Sequence, residues 1–218
     1  MNSLTLVIAN KNYSSWSMRP WLSLKMAGIP FEEIVVPLAE DDTASRIARH
    51  SPSGKVPLLK DGDLAIWESL AIIEYLHERY PDAAIWPRAP QARAVARAVS
   101  AEMHAGFAAL RSQLPMNVRA TRPPAPLSAE VVGDVGRIRA LWQDCRARFG
   151  EGGPFLFGSF CAADAMYAPV VTRFRTYGVE LDAAARDYCD AILALPTVRE
   201  WFEAAAAEPW SIDKYDSA

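Results

Sequence analysis

The sequence predicts two consecutive domains, an α/β domain with the element order βαβαββα followed by an all-α domain. Three observations predict this division: the hydrophobic period changes near residue 80, prolines cluster directly after that point, and strand patterns are lacking beyond the cluster. We place the first domain at residues 1–80, a linker at 81–90 and the helical domain at 91–218. With 218 residues, of which 51% are apolar, the chain can bury a sizeable core.

Within the first domain, short apolar runs alternate with helical patterns. Trp21 and Leu24 belong to an apolar stripe on a helix that ends at Gly28, and a helix between two strands predicts a parallel crossover. Asp61 and Gly62 lie between two apolar runs, which indicates a β-hairpin. This order of elements is that of a thioredoxin-like domain. The predicted strands are 4–9, 31–36, 56–59 and 64–67, and two further helices are predicted at 42–50 and 69–79.

The second domain is rich in alanine and arginine at helical spacing. Pro81, Pro87 and Pro90 mark the linker that precedes it, since proline clusters interrupt regular structure. Loops at 122–126 and 151–154 separate its longer helices. The predicted helices are 91–114, 128–149, 162–177, 183–195 and 197–207.

Composition and charge exclude several classes of function. The formal net charge of -3 leaves no basic excess for a nucleic-acid partner. No segment reaches the roughly 18 apolar residues that span a bilayer, and the first residues lack the basic leader of a signal peptide. The three cysteines and three histidines have no metal-ligand spacing. We therefore expect a cytoplasmic protein with reduced thiols, no metal ion, and no nucleic-acid or membrane partner.

The stretch Ser14-Ser15-Trp16-Ser17 carries the candidate chemistry. Proline is tolerated only in the first turn of a helix, so Pro20 places the helix start near Ser17 and leaves Ser14 and Ser15 just before it. Unpaired backbone N–H groups and the helix dipole favour an anion at this end. A thioredoxin-like redox enzyme has two cysteines here. Hydroxyls cannot form a disulfide, but they can donate hydrogen bonds to another molecule's thiolate. The alternative is that both serines merely cap the helix.

Four motifs, taken together, resemble the glutathione transferase superfamily, and most closely its bacterial serine-type, zeta-like members. They lie in both halves of the chain and in the family's order. The resemblance implies a glutathione co-substrate, a small electrophilic second substrate and a homodimer. The motifs are Ser14-Ser15-Trp16-Ser17, Lys55-Val56-Pro57, and the segments 68–76 and 157–164.

The resemblance also implies the roles of individual residues. Ser14 would stabilise the glutathione thiolate, with Ser15 as the rival candidate. Lowering a thiol pKa of about 8.5 by two units needs about 2.7 kcal/mol. One charged hydrogen bond supplies roughly 1.5–3 kcal/mol, and a helix end adds about 0.3–1 kcal/mol. The resemblance further implies that Val56 and the cis-proline Pro57 bind the peptide backbone and that Lys55 meets a glutathione carboxylate. It implies Glu68 and Ser69 at the γ-glutamyl group.

The second substrate is expected between the two domains, against the first long helix of the second. Met103, Phe107 and Arg111 follow each other at four-residue spacing and are candidates to line this cleft, although such stripes also form cores. Arg173 is expected at the surface, with an anchor for an acidic substrate as the alternative. His104 is expected to pack or to lie at the surface, with no base or metal as a partner. Asp164 is assigned a structural role, because Cys161 and Asp164 have the spacing of a capping box.

The leading hypothesis is an enzyme that stabilises the glutathione thiolate for attack on a small electrophile. A glutathione-dependent cis–trans isomerase of the maleylacetoacetate isomerase type is the first alternative, although Trp16 stands where the zeta-type enzymes have cysteine. A non-catalytic binding module with the same fold is the second alternative, since fold does not determine function. A hydrolase with Ser14 as its nucleophile is disfavoured, because no histidine pattern accompanies that serine.

Overall fold

A four-stranded mixed sheet with three helices forms the first half of the computed structural model, which describes residues 3–217. The predicted order βαβαββα is confirmed. The elements are β1 (Leu4–Ile8), α1 (Ser15–Met26), β2 (Phe31–Val35), α2 (Thr43–Ala48), β3 (Leu58–Asp61), β4 (Leu64–Trp67) and α3 (Ser69–Arg79).

The sheet has the strand order β2-β1-β3-β4, with β1 in the middle. Strand β1 pairs in parallel with β2 through the α1 crossover and antiparallel with β3. The β3–β4 hairpin turns at Gly62, whose φ of 59° is the left-handed conformation that glycine adopts without steric cost. Leu6 and Ile8 on β1 have no exposed surface, because helices cover this central strand. A short loop over residues 9–14 connects the end of β1 to the start of α1.

The second half is helical in its described part, as predicted. Helix α7 is its central element, because 14 of its 16 residues are buried and it packs against α1, α4 and α8. No helix among residues 3–217 is long and apolar enough to cross a membrane. The helices are α4 (Pro90–Ala105), α5 (Ala108–Gln113), α6 (Ala129–Phe149), α7 (Ala162–Tyr177), α8 (Ala183–Leu193), α9 (Pro196–Ala207) and α10 (Asp213–Asp216).

The single helix predicted over 91–114 is wrong. The chain instead breaks between α4 and α5, where Gly106 is extended and Phe107 has a left-handed φ of 57°. The break turns the Phe107 ring into the core, where its residue is only 7% exposed. Met103, Phe107 and Arg111 therefore do not form one continuous helical stripe.

Asp164 in the first turn of α7 has the structural role that the sequence predicts. Its carboxylate accepts the backbone N–H of Cys161 at 2.9 Å and that of Leu156 at 3.0 Å, and the Tyr188 hydroxyl donates to it at 3.1 Å. Complete burial raises the pKa of Asp164 to about 6, against the opposing effect of these hydrogen bonds. The loop before α7 is thereby fixed to the helix from inside the core.

Candidate active site

Ser14 and Ser15 lie at the start of α1 and are both more than 90% buried. Ser14 is the N-cap: its Oγ accepts the Ser17 N–H at 3.3 Å, and its hydroxyl donates to Ser17 Oγ at 2.8 Å. Ser17 Oγ in turn accepts the Ala9 N–H at the end of β1, at 3.0 Å. Ser15 has a different partner, because its Oγ accepts a long hydrogen bond of 3.4 Å from Arg173 on α7. Both hydroxyls are thus held at the positive end of the helix.

Three arginines lie near the same helix end, and two of them face the half-buried indole of Trp16. The guanidinium carbon of Arg19 lies 4.3 Å from the Trp16 ring centroid, and that of Arg111 lies 5.4 Å away. Arg173 is 4% exposed and donates to the carbonyls of Leu114 and Pro169 as well as to Ser15. The expectation that Arg173 lies at the surface is therefore wrong.

These arginines form no direct ion pair in the described chain, although Glu68 opposes the lowering of the Arg19 pKa and Asp134 opposes that of Arg111. Within residues 3–217, no carboxylate oxygen lies within 4.0 Å of any of the three guanidinium groups. Arg19 donates from Nε to the Met166 carbonyl, but its Nη1 and Nη2 have no hydrogen-bond partner in this described part of the chain. Burial, reinforced by Arg173 and Arg111, lowers the pKa of Arg19 to about 9. The group remains a cation at neutral pH, so the site favours an anion.

A cleft of about 190 Å³ lies beside Trp16, at the junction of β3, β4 and α3. Five residues predicted from the sequence to bind glutathione meet here, and the Val56–Pro57 peptide bond is cis. Ser69, the first residue of α3, is fully buried, and its Oγ has no partner among residues 3–217. The lining residues are Trp16, Ser53, Lys55, Val56, Pro57, Trp67, Glu68 and Ser69.

Glu68 connects this cleft to the helical half. Its φ of 73° is unusual for a residue with a side chain, and such a conformation costs about 1–3 kcal/mol. Its carboxylate Oε2 lies 3.3 Å from Nε2 of His104 on α4. Burial lowers the pKa of His104, and the Arg19 and Arg111 charges add to this, while Glu68 opposes it. The expectation that His104 has no charged partner is wrong, because Glu68 and the edge of the Trp16 ring both face it.

The candidates for the second-substrate site occupy different environments. Met103 is fully buried and Phe107 is nearly so, and both belong to the hydrophobic core, whereas Arg111 is half-buried beside Trp16. Sequence reasoning did not identify Ser53 and Trp67 as lining residues or Arg19 as a charged wall of the site. No group of three or more His, Cys, Asp or Glu residues between residues 3 and 217 could hold a metal ion.

Family models match both halves of the chain. The model of the glutathione S-transferase N-terminal domain matches residues 13–79, and that of the C-terminal domain matches residues 82–204. The chain belongs to the glutathione S-transferase family. The N-terminal match contains Ser14 and all eight residues that line the cleft. The two serines and the cleft of this family member therefore lie in the part of the chain that matches the N-terminal domain model.

Curated relatives of this glutathione S-transferase family member match only part of the chain. A probable maleylacetoacetate isomerase of Caenorhabditis elegans is 36% identical over 99 residues, 45% of this chain and 46% of that protein. Glutathione S-transferase Z1 of Arabidopsis thaliana is 40% identical over 90 residues, which is 39% of this chain and 41% of that protein. The alignments span less than half the length of these relatives.

Solved structures show the same fold over nearly the whole chain. A glutathione transferase homologue from Burkholderia with bound glutathione has a TM-score of 0.73 at 23% identity, covering 95% of this chain and 100% of that one. A holo maleyl pyruvate isomerase, described as a bacterial zeta-class glutathione S-transferase, has a TM-score of 0.67 at 25% identity with the same coverage. The thioredoxin-like half followed by a helical half is thus a glutathione S-transferase fold.

Proposed function

We propose that this protein is a glutathione transferase that stabilises the glutathione thiolate at the start of α1 for attack on a small electrophile. The observation that carries the proposal is the juxtaposition of two buried serine hydroxyls, a helix N-terminus and three arginines without carboxylate partners in the described chain. Each of these favours a negative charge on sulfur over a neutral thiol.

In this proposal, the cleft next to Trp16 binds the rest of the tripeptide. The buried, unpartnered hydroxyl of Ser69 and the first N–H groups of α3 receive the γ-glutamyl carboxylate, while Glu68 faces its ammonium group. Val56 presents its backbone at the edge of β3, as in strand addition, and Lys55 lies within reach of the glycyl carboxylate. No described residue other than Ser69 leaves a buried hydroxyl unsatisfied inside this cleft.

The reaction needs little from the protein beyond the thiolate and its orientation. The sulfur lone pair forms a C–S bond to the electrophilic carbon, and the displaced electron pair leaves with a halide or moves onto a conjugated carbonyl oxygen. In the second case, the resulting enolate takes a proton from water. Holding the two reactants together removes much of the entropic barrier of the bimolecular step.

Two measurements on the wild-type protein test the proposal. Calorimetry should detect glutathione binding at or below about 1 mM, the upper end of common KM values. Ultraviolet titration of the thiolate in the bound state should give a thiol pKa about two units below that of free glutathione. Absence of binding would support the non-catalytic alternative. Binding with an unshifted thiol pKa would refute the catalytic role of the α1 start.

A glutathione-dependent isomerase is the second candidate, because the partial relatives include maleylacetoacetate isomerases and one structural neighbour is a maleyl pyruvate isomerase. An isomerase adds glutathione to a double bond, allows rotation, and then eliminates it, so glutathione is regenerated. A transferase consumes it. Turnover of maleylacetone with and without loss of free thiol therefore distinguishes the two activities.

We also propose that the protein is a cytoplasmic homodimer with a role in detoxification, as the family resemblance implies. Leu64 and Trp67 support an interface, since both are large apolar residues about half exposed on the edge strand β4. Light scattering should give twice the mass of the chain, and Leu64→Lys should shift the protein towards the monomer. A monomeric wild-type protein would refute this part.

A further inference from the structure

Ser17 is a buried hydroxyl at the candidate site for which the proposed function has no use. It has no exposed surface, and it follows Ser14 by one turn on α1. Two hydrogen-bonding contacts converge on its Oγ, the Ala9 N–H at 3.0 Å and the Ser14 hydroxyl at 2.8 Å. Because the backbone N–H of Ala9 can only donate, one lone pair of Ser17 Oγ is permanently occupied.

Only one proton can lie between the two hydroxyl oxygens, and this limits the directions that their hydrogen bond can take. In the ligand-free site, the Ser14 hydroxyl donates a hydrogen bond to Ser17 Oγ. A hydroxyl has only one proton, so Ser14 cannot donate to Ser17 and to a thiolate at the same time. Once Ser14 turns its proton to the sulfur, its Oγ still accepts the Ser17 N–H, but the hydrogen bond between the two hydroxyls persists only if Ser17 turns its own proton to Ser14.

We propose that Ser17 is a positioning residue, whose hydroxyl reverses direction and donates to Ser14 when Ser14 donates to the glutathione thiolate. The inference rests on the proposed function. The result is one chain of donors, from the Ala9 N–H to Ser17, from Ser17 to Ser14, and from Ser14 to sulfur. No proton changes its oxygen, since both hydroxyls only rotate. Successive donors polarise one another, so the last hydrogen bond in the chain is strengthened.

The surrounding charges do not provide an alternative donor to Ser14. Arg173 contacts Ser15, Arg19 and Arg111 stack on Trp16, and Glu68 pairs with His104. None of these groups has a hydrogen bond to Ser14 in the described chain, whose Oγ contacts only Ser17. None of these charged groups contacts Ser17, so we expect their effect on the sulfur to be the same in wild type and variants.

The test compares two serine-to-alanine variants on the same helix. Ser17→Ala removes the reversing hydroxyl, and Ser23→Ala is the matched control, because Ser23 is also buried on α1 but donates to the Arg19 carbonyl. The readout is the pKa of the bound glutathione thiol, from ultraviolet titration of each variant at saturating glutathione. We expect Ser17→Ala to raise it by about half a unit, the loss of one polarising hydrogen bond, and Ser23→Ala to leave it unchanged.

A double-mutant cycle decides whether Ser17 acts through Ser14. In Ser14→Ala, the hydroxyl that donates to the sulfur is missing from the row of hydrogen-bond donors. Adding Ser17→Ala should therefore not raise the thiol pKa further. Equal thiol pKa values in wild type and Ser17→Ala, or additive shifts in the double variant, would overturn the inference. If Ser17→Ala does not fold, Ser17→Cys serves instead, because a thiol fills the site but is a weak donor. Failure of the wild type to bind glutathione would instead refute the proposed function.

Discussion

Replacing Ser14 by alanine tests the central electrostatic argument most directly. A hydrogen bond from a hydroxyl to a charged group contributes roughly 1.5–3 kcal/mol. At about 1.36 kcal/mol per unit, its loss should raise the bound thiol pKa by about 1–2 units. A thiol at about pKa 6.5 is mostly ionised at pH 7, and raising it by 1.5 units leaves about one tenth as thiolate. Turnover at pH 7 should therefore fall roughly tenfold, while glutathione affinity changes little.

The structure also predicts a separate effect of Ser14→Ala on stability. Ser14 is the N-cap of α1, and loss of a serine cap costs about 1 kcal/mol. Urea unfolding measures this cost, and the thiolate titration is carried out well below the unfolding midpoint. The two effects are independent, because the cap accepts the Ser17 N–H while the thiolate takes the hydroxyl proton.

Ser15→Ala is the comparison that can refute this assignment. Ser15 Oγ already accepts a hydrogen bond from Arg173. The Ser15 proton therefore points away from that arginine, and the Ser15 hydroxyl is free to donate. If Ser15 holds the thiolate, Ser15→Ala raises the thiol pKa and Ser14→Ala does not. We expect the larger shift in Ser14→Ala, because Ser14 is connected by short hydrogen bonds to Ser17 and β1, whereas the Ser15 contact to Arg173 is 3.4 Å long.

Three further predictions concern other parts of the molecule. Ser69→Ala should weaken glutathione binding about tenfold in calorimetry without changing the thiol pKa, because Ser69 lies at the γ-glutamyl end of the cleft. The folded pKa of Asp164, about 6, exceeds the unfolded value of about 3.9, so its contribution to the free energy of unfolding is complete below pH 4 and is lost as the pH rises through 6. Urea unfolding should show that the free energy of unfolding of the wild type falls by roughly 2–3 kcal/mol over this pH range. The Asp164→Asn variant should not show this fall. Glu208→Ala should lower the free energy of unfolding by about 1–3 kcal/mol, since Glu208 accepts the N–H groups of Lys11 and Asn12.

Much of the fold could be predicted because local patterns determine it. Apolar runs and the Asp61-Gly62 turn agree with the observed strands and hairpin to within two residues. The start of α1 that Pro20 predicted, near Ser17, is two residues late, because the helix begins at Ser15 and contains Pro20. The break between α4 and α5 could not be predicted in the same way. The surrounding residues favour a helix, and Gly106 was the only local indication that it is interrupted. What overrides this preference is the burial of the Phe107 side chain, a tertiary contact.

In the candidate site, too, the residues that short motifs specify could be predicted, and those placed by tertiary packing could not. The cleft residues are local in the chain, at 53–57 and 67–69, and short motifs identify them. The arginines are different, since Arg173 contacts Ser15 across 158 positions of sequence. Nothing in the helical pattern of α7 tells which of its arginines faces α1. The polar side of the site therefore depends on packing that only the structure provides.

The start of α1 is held from three directions, and this is the reason that its hydroxyls can act without large rearrangement. The end of β1 binds Ser17 through the Ala9 N–H, and α7 reaches Ser15 through Arg173. On the third side, Glu208 accepts two backbone N–H groups of the loop before Ser14. Hydroxyls whose oxygens are fixed in place need only rotate their protons to stabilise a developing anion, which is less reorganisation than water requires. In the proposed function, the helical half therefore contributes to the environment of the thiolate through Arg173 and Glu208.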